Sequence, residues 1–334
     1  LQAGQRAPVT RAHFDDYARA WIASYSGRTQ RGLKERTRES YRRVLELHAI
    51  PFFAGYRLAD IDPPAVRAFI AKLSDKGLEP PSIRAALAPV KALLSTAVED
   101  GALRVNPATG VRIGTARKKP PRQVRALTRV ELYRLLEAVP KEWRLLFELL
   151  AHTGLRFSEA AGLEWRDLDY RAEGRSHLHI RRQFVRGDLD ETLKSENGAR
   201  TLPLAGAMAA RLWQLGADEP ESRPIFTSEI GRRLDYSNMH DRVLQPAREA
   251  SGLEWATFHT LRHTCASLLF EAGWDVLKVS RFLGHADASF TLRTYIHLVE
   301  ETLGDPDFLD GVGDNPVAAD GPQTAADAEV VDVA

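Results

Sequence analysis

The sequence is poor in cysteine and has no long apolar run. Cys265 is its only cysteine, so an intramolecular disulfide is excluded. It shows neither a charged segment followed by an apolar one, as in a secretory leader, nor an uncharged stretch long enough to span a bilayer. These absences favour a cytoplasmic protein that needs no membrane.

Several common functional signatures are also missing. The chain has no internal repeat, no glycine-rich phosphate loop and no dinucleotide-binding fingerprint. Repeat folds, P-loop chemistry and Rossmann-type cofactor binding are therefore not indicated. What is present is 44% hydrophobic residues over 334 positions, which is enough for two globular domains of ordinary size.

The net charge of +1 hides an uneven distribution. Residues 305–334 contain eight acidic residues and no lysine or arginine, so the rest of the chain carries +9. Residues 1–115 account for +7 of that excess. A modest positive field suits a polyanionic partner such as nucleic acid, although many solvated protein surfaces carry a similar charge.

The first half of the chain is predicted to be helical. Apolar residues recur at spacings of three and four in segments 13–25 and 35–53, and proline pairs open two further helical segments, 65–74 and 82–99. Residues 103–124 then interrupt every period with five prolines and glycines and a short basic run. We expect a small helical bundle over residues 1–112, followed by a linker at 113–125.

The second half is predicted to combine helices with a small sheet. Strands are expected at 177–185 and 200–204, joined by a hairpin turn at Glu196, Asn197 and Gly198. Helices are expected on both sides, at 128–138, 141–152, 206–215, 235–250, 258–272, 275–283 and 289–303. The predicted fold is mainly α with a small antiparallel β-sheet, with an α+β domain at 126–304 and a disordered acidic tail at 305–334.

The segment His259-Thr260-Leu261-Arg262-His263 opens a predicted helix whose N-cap is Thr257. His259 and Arg262 are three residues apart, so both project from one face of its first turn. Free backbone N–H groups and the positive end of the helix dipole favour an anion there, and a phosphate would suit this position. The plain alternative is a histidine and an arginine that cap a surface helix.

Two further motifs follow near the end of the chain. Gly284 is well placed to end the preceding helix, which would hold His285 on a rigid turn. Tyr295 follows ten residues later and borders the apolar stripe of the last predicted helix. Taken alone, it would be interpreted as a core tyrosine.

Two further segments with charged residues lie far upstream of these motifs, one with Arg156 and Glu159 and one with Lys194. Arg156 enters a helix at a sharp turn, and Glu159 lies one turn further on, where a carboxylate can orient a neighbouring donor. Lys194 falls in the predicted hairpin turn, where a long ammonium side chain could swing into a cleft. Both positions have a solvated surface as the alternative.

Taken in order, the motifs resemble the signature of the tyrosine recombinase, or phage integrase, family. The matching pieces are Thr153-Gly154-Leu155-Arg156 with Glu159, the hairpin lysine, His259 to Thr264, Leu283-Gly284-His285 and Thr294-Tyr295-Ile296-His297. The resemblance covers nearly residues 10–304 and implies a helical core-binding domain followed by a catalytic domain. The family's catalytic residues fall on Arg156, Lys194, His259, Arg262, His285 and Tyr295.

The resemblance implies site-specific DNA recombination that uses no metal, ATP or other cofactor. Tyr295 would attack a phosphodiester to form a 3′-phosphotyrosyl link, while the two arginines donate hydrogen bonds to the nonbridging oxygens. His285 would add a donor, and His259 would act as a base or donor near the phenol. Lys194 would protonate the departing 5′ oxygen, and Glu159 would support the site.

The implied partners are double-stranded DNA attachment sites and other copies of the chain, in a homo-tetramer on DNA. The family also leaves room for accessory proteins that set direction or bend DNA, and it points to a bacterial or phage-encoded, nucleoid-associated protein. The expected phosphate contacts, each with a solvated face as the alternative, are Arg36, Arg38, Arg42, Arg43, Arg84, Lys91, Lys118 and Lys119.

Many integrases of this kind carry a further small domain that binds arm-type DNA ahead of the core-binding domain. The printed residues leave no room for it, so the alternatives are a two-domain recombinase and a chain that lacks its first domain.

Three rival functions share some of these features. A type IB topoisomerase uses similar residues to relax supercoils, and a DNA-binding regulator could keep the fold without catalysis. A zinc site is the third, since His259 and His263 are four apart on a helix, with His285 and His297 nearby. Arg262 beside that pair disfavours a metal cation.

Overall fold

A computed structural model describes residues 12–28, 32–114, 124–191, 198–216, 218–285 and 287–299 of the 334-residue chain. The chain divides into two compact units, with the boundary between residues 122 and 123. The predicted acidic tail at 305–334 and most of the predicted linker lie outside the described residues.

The described part of the N-terminal unit is helical. Its helices are α1 (Phe14–Ser24), α2 (Glu35–Val44), α3 (Ile50–Phe52), α4 (Pro63–Asp75) and α5 (Pro80–Glu99). A π-helical turn, Leu45–Ala49, connects α2 to α3, so the predicted helix 35–53 is one continuous element. All four predicted helical segments are confirmed.

The helices of this unit pack around an aromatic core. Phe53 lies with its ring centroid 4.8 Å from that of Phe14 and 5.4 Å from that of Phe69. The Trp21 indole N–H donates a hydrogen bond of 3.0 Å to the Thr96 hydroxyl, which joins α1 to α5. Burial of these large apolar groups supplies most of the stabilisation that holds the short helices together.

The C-terminal unit surrounds a small sheet with helices. Its helices are α6 (Arg129–Ala138), α7 (Lys141–Thr153), α8 (Phe157–Ala160), α9 (Gly206–Gly216), α10 (Tyr236–Met239), α11 (Gln245–Ala250), α12 (Phe258–Glu271), α13 (Val276–Leu283) and α14 (Ala288–Val299). Its strands are β1 (Leu168–Asp169), β2 (His177–Ile180), β3 (Gln183–Val185), β4 (Asp188–Asp190) and β5 (Arg200–Pro203). The predicted mainly helical fold with small antiparallel sheets is confirmed.

The sheet differs from the prediction in one respect. Strand β2 pairs antiparallel with β5, as expected, and also with β1. The predicted strand 177–185 is wrong as a single element, because its second half, β3, forms a separate hairpin with β4. The chain turns between the two sheets at Arg182, whose buried guanidinium lies 2.8 Å from both Glu164 and Asp167. Of the predicted hairpin turn, Glu196 and Asn197 lie outside the described residues.

The core of this unit brings α7, α8 and α12 together. Phe258 at the start of α12 has its ring centroid 5.4 Å from that of Phe147 in α7 and 4.6 Å from that of Phe157 in α8. These contacts fix the first turn of α12 against the segment that carries Arg156. Across both units, none of the described helices is long and apolar enough to cross a membrane.

Candidate active site

Arg262 lies at the centre of the candidate site. Thr257 caps α12, as predicted, and its hydroxyl accepts a hydrogen bond from the backbone N–H of Thr260. One turn into the helix, the Arg262 side chain is buried, and the residue is 1% exposed. Its Nη1 donates to the Gly154 carbonyl at 2.6 Å and its Nη2 donates to the Leu283 carbonyl at 2.7 Å.

These contacts tie together three separated segments of the chain. Gly154 lies two residues before Arg156, and Leu283 lies two residues before His285, so one guanidinium joins both motifs to α12. Burial and the neighbouring Arg156 lower the pKa of Arg262 to about 9, which still leaves the group charged at neutral pH. The two predicted arginines therefore belong to one site.

Arg156 is held by the predicted supporting carboxylate. It lies at the N-cap of α8, and its Nη1 donates to Glu159 Oε1 at 2.7 Å, while its backbone N–H donates to Oε2 at 3.0 Å. The Arg156 side chain remains 40% exposed, whereas that of Glu159 is 3% exposed. Arg156 thus presents part of its guanidinium to solvent, while Glu159 holds its backbone N–H and its Nη1 in place.

A third arginine that the sequence did not single out is also part of this site. Arg200, the first residue of β5, donates through Nη2 to Glu159 Oε2 at 3.0 Å and through Nε to the Phe282 carbonyl at 2.9 Å. No local motif marks this residue, because its partners are 41 and 82 positions away along the chain.

Tyr295 is fully buried, with 1% of the residue exposed, and its hydroxyl contacts α12. The Tyr295 hydroxyl lies 2.5 Å from Nδ1 of His263, the residue after Arg262. Burial raises the pKa of the phenol, although nearby Arg262 opposes the shift. The phenol is therefore neutral at pH 7 and needs activation before it can act as a nucleophile.

The sequence motif contains His263 without indicating a role for it, and it predicts that His259 lies near the phenol. The structure places His263 on the hydroxyl, and His259 packs against His263 edge-on, with ring centroids 4.7 Å apart. Burial, His259 and Arg262 lower the pKa of His263 to about 4, so its ring is neutral at pH 7. Burial, Arg262 and Arg156 likewise lower the pKa of His259.

His285 lies on the turn that Gly284 makes possible. Gly284 adopts φ +70° at the end of α13, as predicted for a left-handed C-cap. His285 is buried, and its Nδ1 is 2.6 Å from the Thr291 hydroxyl. Burial and the adjacent Arg262 and Arg156 lower the pKa of His285 to about 3, which indicates a neutral ring surrounded by cations.

A cavity of about 550 Å³ opens beside this site. Arg156 and His259 line it together with aromatic residues, among them Phe184 and Tyr236. Arg156 and His259 can therefore be reached from outside the protein. Lys194, the predicted general acid, lies in the stretch 192–197 outside the described residues.

The candidate DNA contacts differ in how exposed they are. Arg36, Arg43 and Arg84 are exposed. Arg38 is bound within the protein instead, because its Nη1 donates to the carbonyls of Ile22 and Ala23 at 3.1 and 3.2 Å.

The remaining candidates are partly buried or lie outside the described residues. Arg42 pairs with Glu39 at 2.5 Å, and Lys91 is partly buried, with its carbonyl accepting from Asn106. Lys118 and Lys119 lie outside the described residues. Within the described ranges, no group of three or more histidine, cysteine, aspartate or glutamate residues could hold a metal ion.

Comparison with protein families covers most of the chain. The profile of the Phage integrase family matches residues 125–302, and that of the Phage integrase N-terminal SAM-like domain matches residues 13–74. The chain is 29% identical over 289 residues to a tyrosine recombinase XerC-like protein of Caldanaerobacter subterraneus, covering 75% of this chain and 73% of that protein. It is 30% identical over 292 residues to a prophage phiRv2 integrase of Mycobacterium tuberculosis, covering 84% and 74%.

Solved structures share the fold at lower identity. The Tn1549 transposon integrase in complex with a circular intermediate DNA matches with a TM-score of 0.68 and 20% identity, covering 84% of this chain and 94% of that one. A lambda integrase tetramer bound to a Holliday junction matches with a TM-score of 0.63 and 20% identity, covering 87% and 78%.

Proposed function

The chain belongs to the phage integrase family of tyrosine recombinases, and from this premise we propose that it is a site-specific DNA recombinase with Tyr295 as its nucleophile. One observation carries the proposal. The Tyr295 hydroxyl is bound at 2.5 Å by the residue that follows Arg262, so the phenol lies at the helix that also carries His259. A buried tyrosine placed beside a charged arginine fits a nucleophile better than a core side chain.

The arginines would stabilise the charge that develops when the phenol attacks a phosphodiester. Arg262 uses two of its five N–H donors on backbone carbonyls, and Arg156 directs one Nη toward Glu159. In the proposed reaction, the other donors of these two arginines would bind the nonbridging oxygens of a pentacoordinate phosphorus. We propose no metal for this reaction, since these cations can supply the stabilisation themselves.

Histidines and a lysine would accept and donate the protons and hydrogen bonds of the reaction. The neutral His263 can accept a hydrogen bond from the phenol, while His259 and His285 can donate to the phosphate. Lys194 would protonate the departing 5′ oxygen. The product is a 3′-phosphotyrosyl link, and a 5′ hydroxyl from a partner duplex can reverse the step without ATP because the ester bond is conserved.

The proposal includes the partners of the reaction. We propose that the chain acts on double-stranded attachment sites as a homo-tetramer in the cytoplasm, which the lambda integrase tetramer on a Holliday junction supports by analogy of fold. Accessory proteins would set direction or bend the DNA. Residues 1–112 would act as the core-binding domain, with exposed Arg36, Arg43 and Arg84 on phosphates, and residues 126–304 as the catalytic domain.

The test is a search for a covalent adduct. Nicked duplexes with a randomised central segment are incubated with the full chain, and DNA that remains attached to protein after denaturation is sequenced. We expect enrichment of one sequence, and we expect Tyr295→Phe to abolish the adduct. The matched control is Tyr133→Phe, since Tyr133 is 66% exposed in the same unit and should not matter.

Two outcomes would contradict the proposal. An adduct that persists in Tyr295→Phe would show that another residue is the nucleophile. If the enzyme relaxes a supercoiled plasmid that carries the enriched sequence but never exchanges strands between two duplexes, it is a topoisomerase instead.

A further inference from the structure

Arg200 is a buried arginine whose guanidinium binds groups inside the protein. Its side chain is 7% exposed, so it cannot serve as a surface contact for DNA. Burial of a guanidinium is costly unless its donors are satisfied. The Arg200 contacts are therefore expected to have a structural or functional reason.

The two main contacts of Arg200 lie on different parts of the candidate site. Nη2 donates to Glu159 Oε2 at 3.0 Å, and Glu159 in turn holds Arg156. Nε donates to the carbonyl of Phe282 at 2.9 Å, three residues before His285. One planar group thus connects the Arg156 segment with the His285 turn.

Arg262 makes a second connection between the same two segments. It joins Gly154 to Leu283, next to the pair Glu159 and Phe282 that Arg200 joins. Two cross-links between two short segments restrain both their separation and their relative rotation, whereas one cross-link would leave a rotation free. Such restraint is what a phosphate site needs, because an error of about 1 Å in catalytic geometry can cost about 100-fold in rate.

We infer that Arg200 is a positioning residue of the recombination reaction, which fixes Arg156 and His285 relative to each other through Glu159 and the Phe282 carbonyl. This inference rests on the proposed function. Arg200 itself would touch neither the DNA nor the phenol.

The charge of Glu159 supports this role. Burial favours the neutral acid, but Arg200, Arg156 and Arg262 together hold its pKa below the usual value. Of these three cations, Arg200 lowers the pKa of Glu159 the most. Removing Arg200 therefore raises the pKa of Glu159, and protonation would take away an acceptor from Arg156.

The experiment compares Arg200→Gln with a matched variant, Arg233→Gln. Arg233 is also shielded and also joins a carboxylate, Glu164, to backbone carbonyls at Ala161 and Gly162, but it contacts none of the candidate catalytic residues. The probe is the nicked duplex recovered with the unmodified chain in the adduct selection. Single-turnover cleavage is measured at saturating DNA, together with affinity for the intact duplex.

We expect Arg200→Gln to slow cleavage about 100-fold with affinity changed by less than about twofold, and Arg233→Gln to cleave at the unmodified rate although it also loses thermal stability. On acidification, the cleavage rate of Arg200→Gln should also fall at a higher pH than that of the unmodified chain, because the loss of Arg200 raises the pKa of Glu159. Glu159→Gln in the same background should abolish that fall, because no titrating group remains at the position.

Arg200→Lys keeps a cation at this position if the glutamine variant fails to fold. A single ammonium cannot reproduce the planar fork, so we expect Arg200→Lys to cleave slowly. Its cleavage rate should not show the additional fall on acidification, because the cation beside Glu159 is kept. Cleavage at the unmodified rate in Arg200→Gln or Arg200→Lys, or an equal loss in Arg233→Gln, would overturn the inference. If the unmodified chain forms no adduct that depends on Tyr295, the proposed function itself fails, which is a different result.

Discussion

The exposed arginines of α2 in one unit and the enclosed arginines of the candidate site in the other have opposite roles. In the N-terminal unit, α2 buries none of its residues, and Arg36 and Arg43 face solvent. In the C-terminal unit, Arg262 and Arg200 are almost entirely enclosed and bind backbone carbonyls and a carboxylate. An exposed guanidinium contributes mainly charge, which salt screens, whereas an enclosed one fixes the geometry of what surrounds it. Substitutions in the two units should therefore have different consequences.

The largest expected effect is that of Arg262→Lys. The charge is kept, but the three donors of an ammonium share one nitrogen and cannot reproduce the planar fork that spans the carbonyls of Gly154 and Leu283 beside a phosphate. We expect single-turnover cleavage of the recovered duplex to fall by about 10²–10³-fold. Circular dichroism should show a lower melting temperature, because one buried carbonyl loses its donor.

The matched control for this change is Arg248→Lys. Arg248 also donates to a backbone carbonyl, that of Ala256, at 3.3 Å, but it is not among the candidate catalytic residues. It should cleave normally. A similar loss of cleavage in both variants would mean that arginine geometry in this unit matters only for folding.

A smaller effect is expected for His263→Leu. The variant removes the partner of the Tyr295 hydroxyl and leaves that group buried. Since such a hydrogen bond is worth about 1–2 kcal/mol, we expect adduct formation to slow by about tenfold. His263→Asn can still accept the hydrogen bond, so it should cleave at a rate between those of the unmodified chain and His263→Leu. Faster cleavage by His263→Leu would instead show that the contact restrains the phenol.

The smallest effect distinguishes two arginines of α2. Arg43→Ala should weaken duplex binding only a few-fold at low salt and reduce the slope of log K against log salt by about one, with normal cleavage once DNA is saturating. Arg38→Ala should leave that slope unchanged and lower thermal stability, because Arg38 binds the end of α1. Equal slopes for the two variants would contradict this division.

Much of the fold could be predicted because it follows from local periodicity. The helices before residue 112 and most of those after 128 begin and end close to the expected positions, since apolar spacing and proline or glycine boundaries act over a few residues. The error at strand 177–185 arose because buried Arg182 looks like an exposed residue until Glu164 and Asp167 are seen beside it. That environment depends on chain segments brought together only by folding.

The site was predictable to the extent that its residues stand in short motifs. Arg156, His259, Arg262, His285 and Tyr295 were each marked by a turn, a cap or a helix face. Arg200 and the contact of His263 with Tyr295 were not, because both depend on partners more than 30 residues away. A pattern within one helix shows which residues share a face but not what lies opposite that face.

Gly154 shows how little space the candidate site leaves. Its φ of +61° already disfavours other residues, and a methyl group at this position would lie 2.4 Å from the Leu283 side chain and 3.3 Å from the Cys265 sulfur. Alanine would require the Leu283 side chain to move, beside the place where a single guanidinium reaches both helix ends. The hydrogen atom of Gly154 in place of a side chain leaves room for the Leu283 side chain, next to the two carbonyls that Arg262 spans.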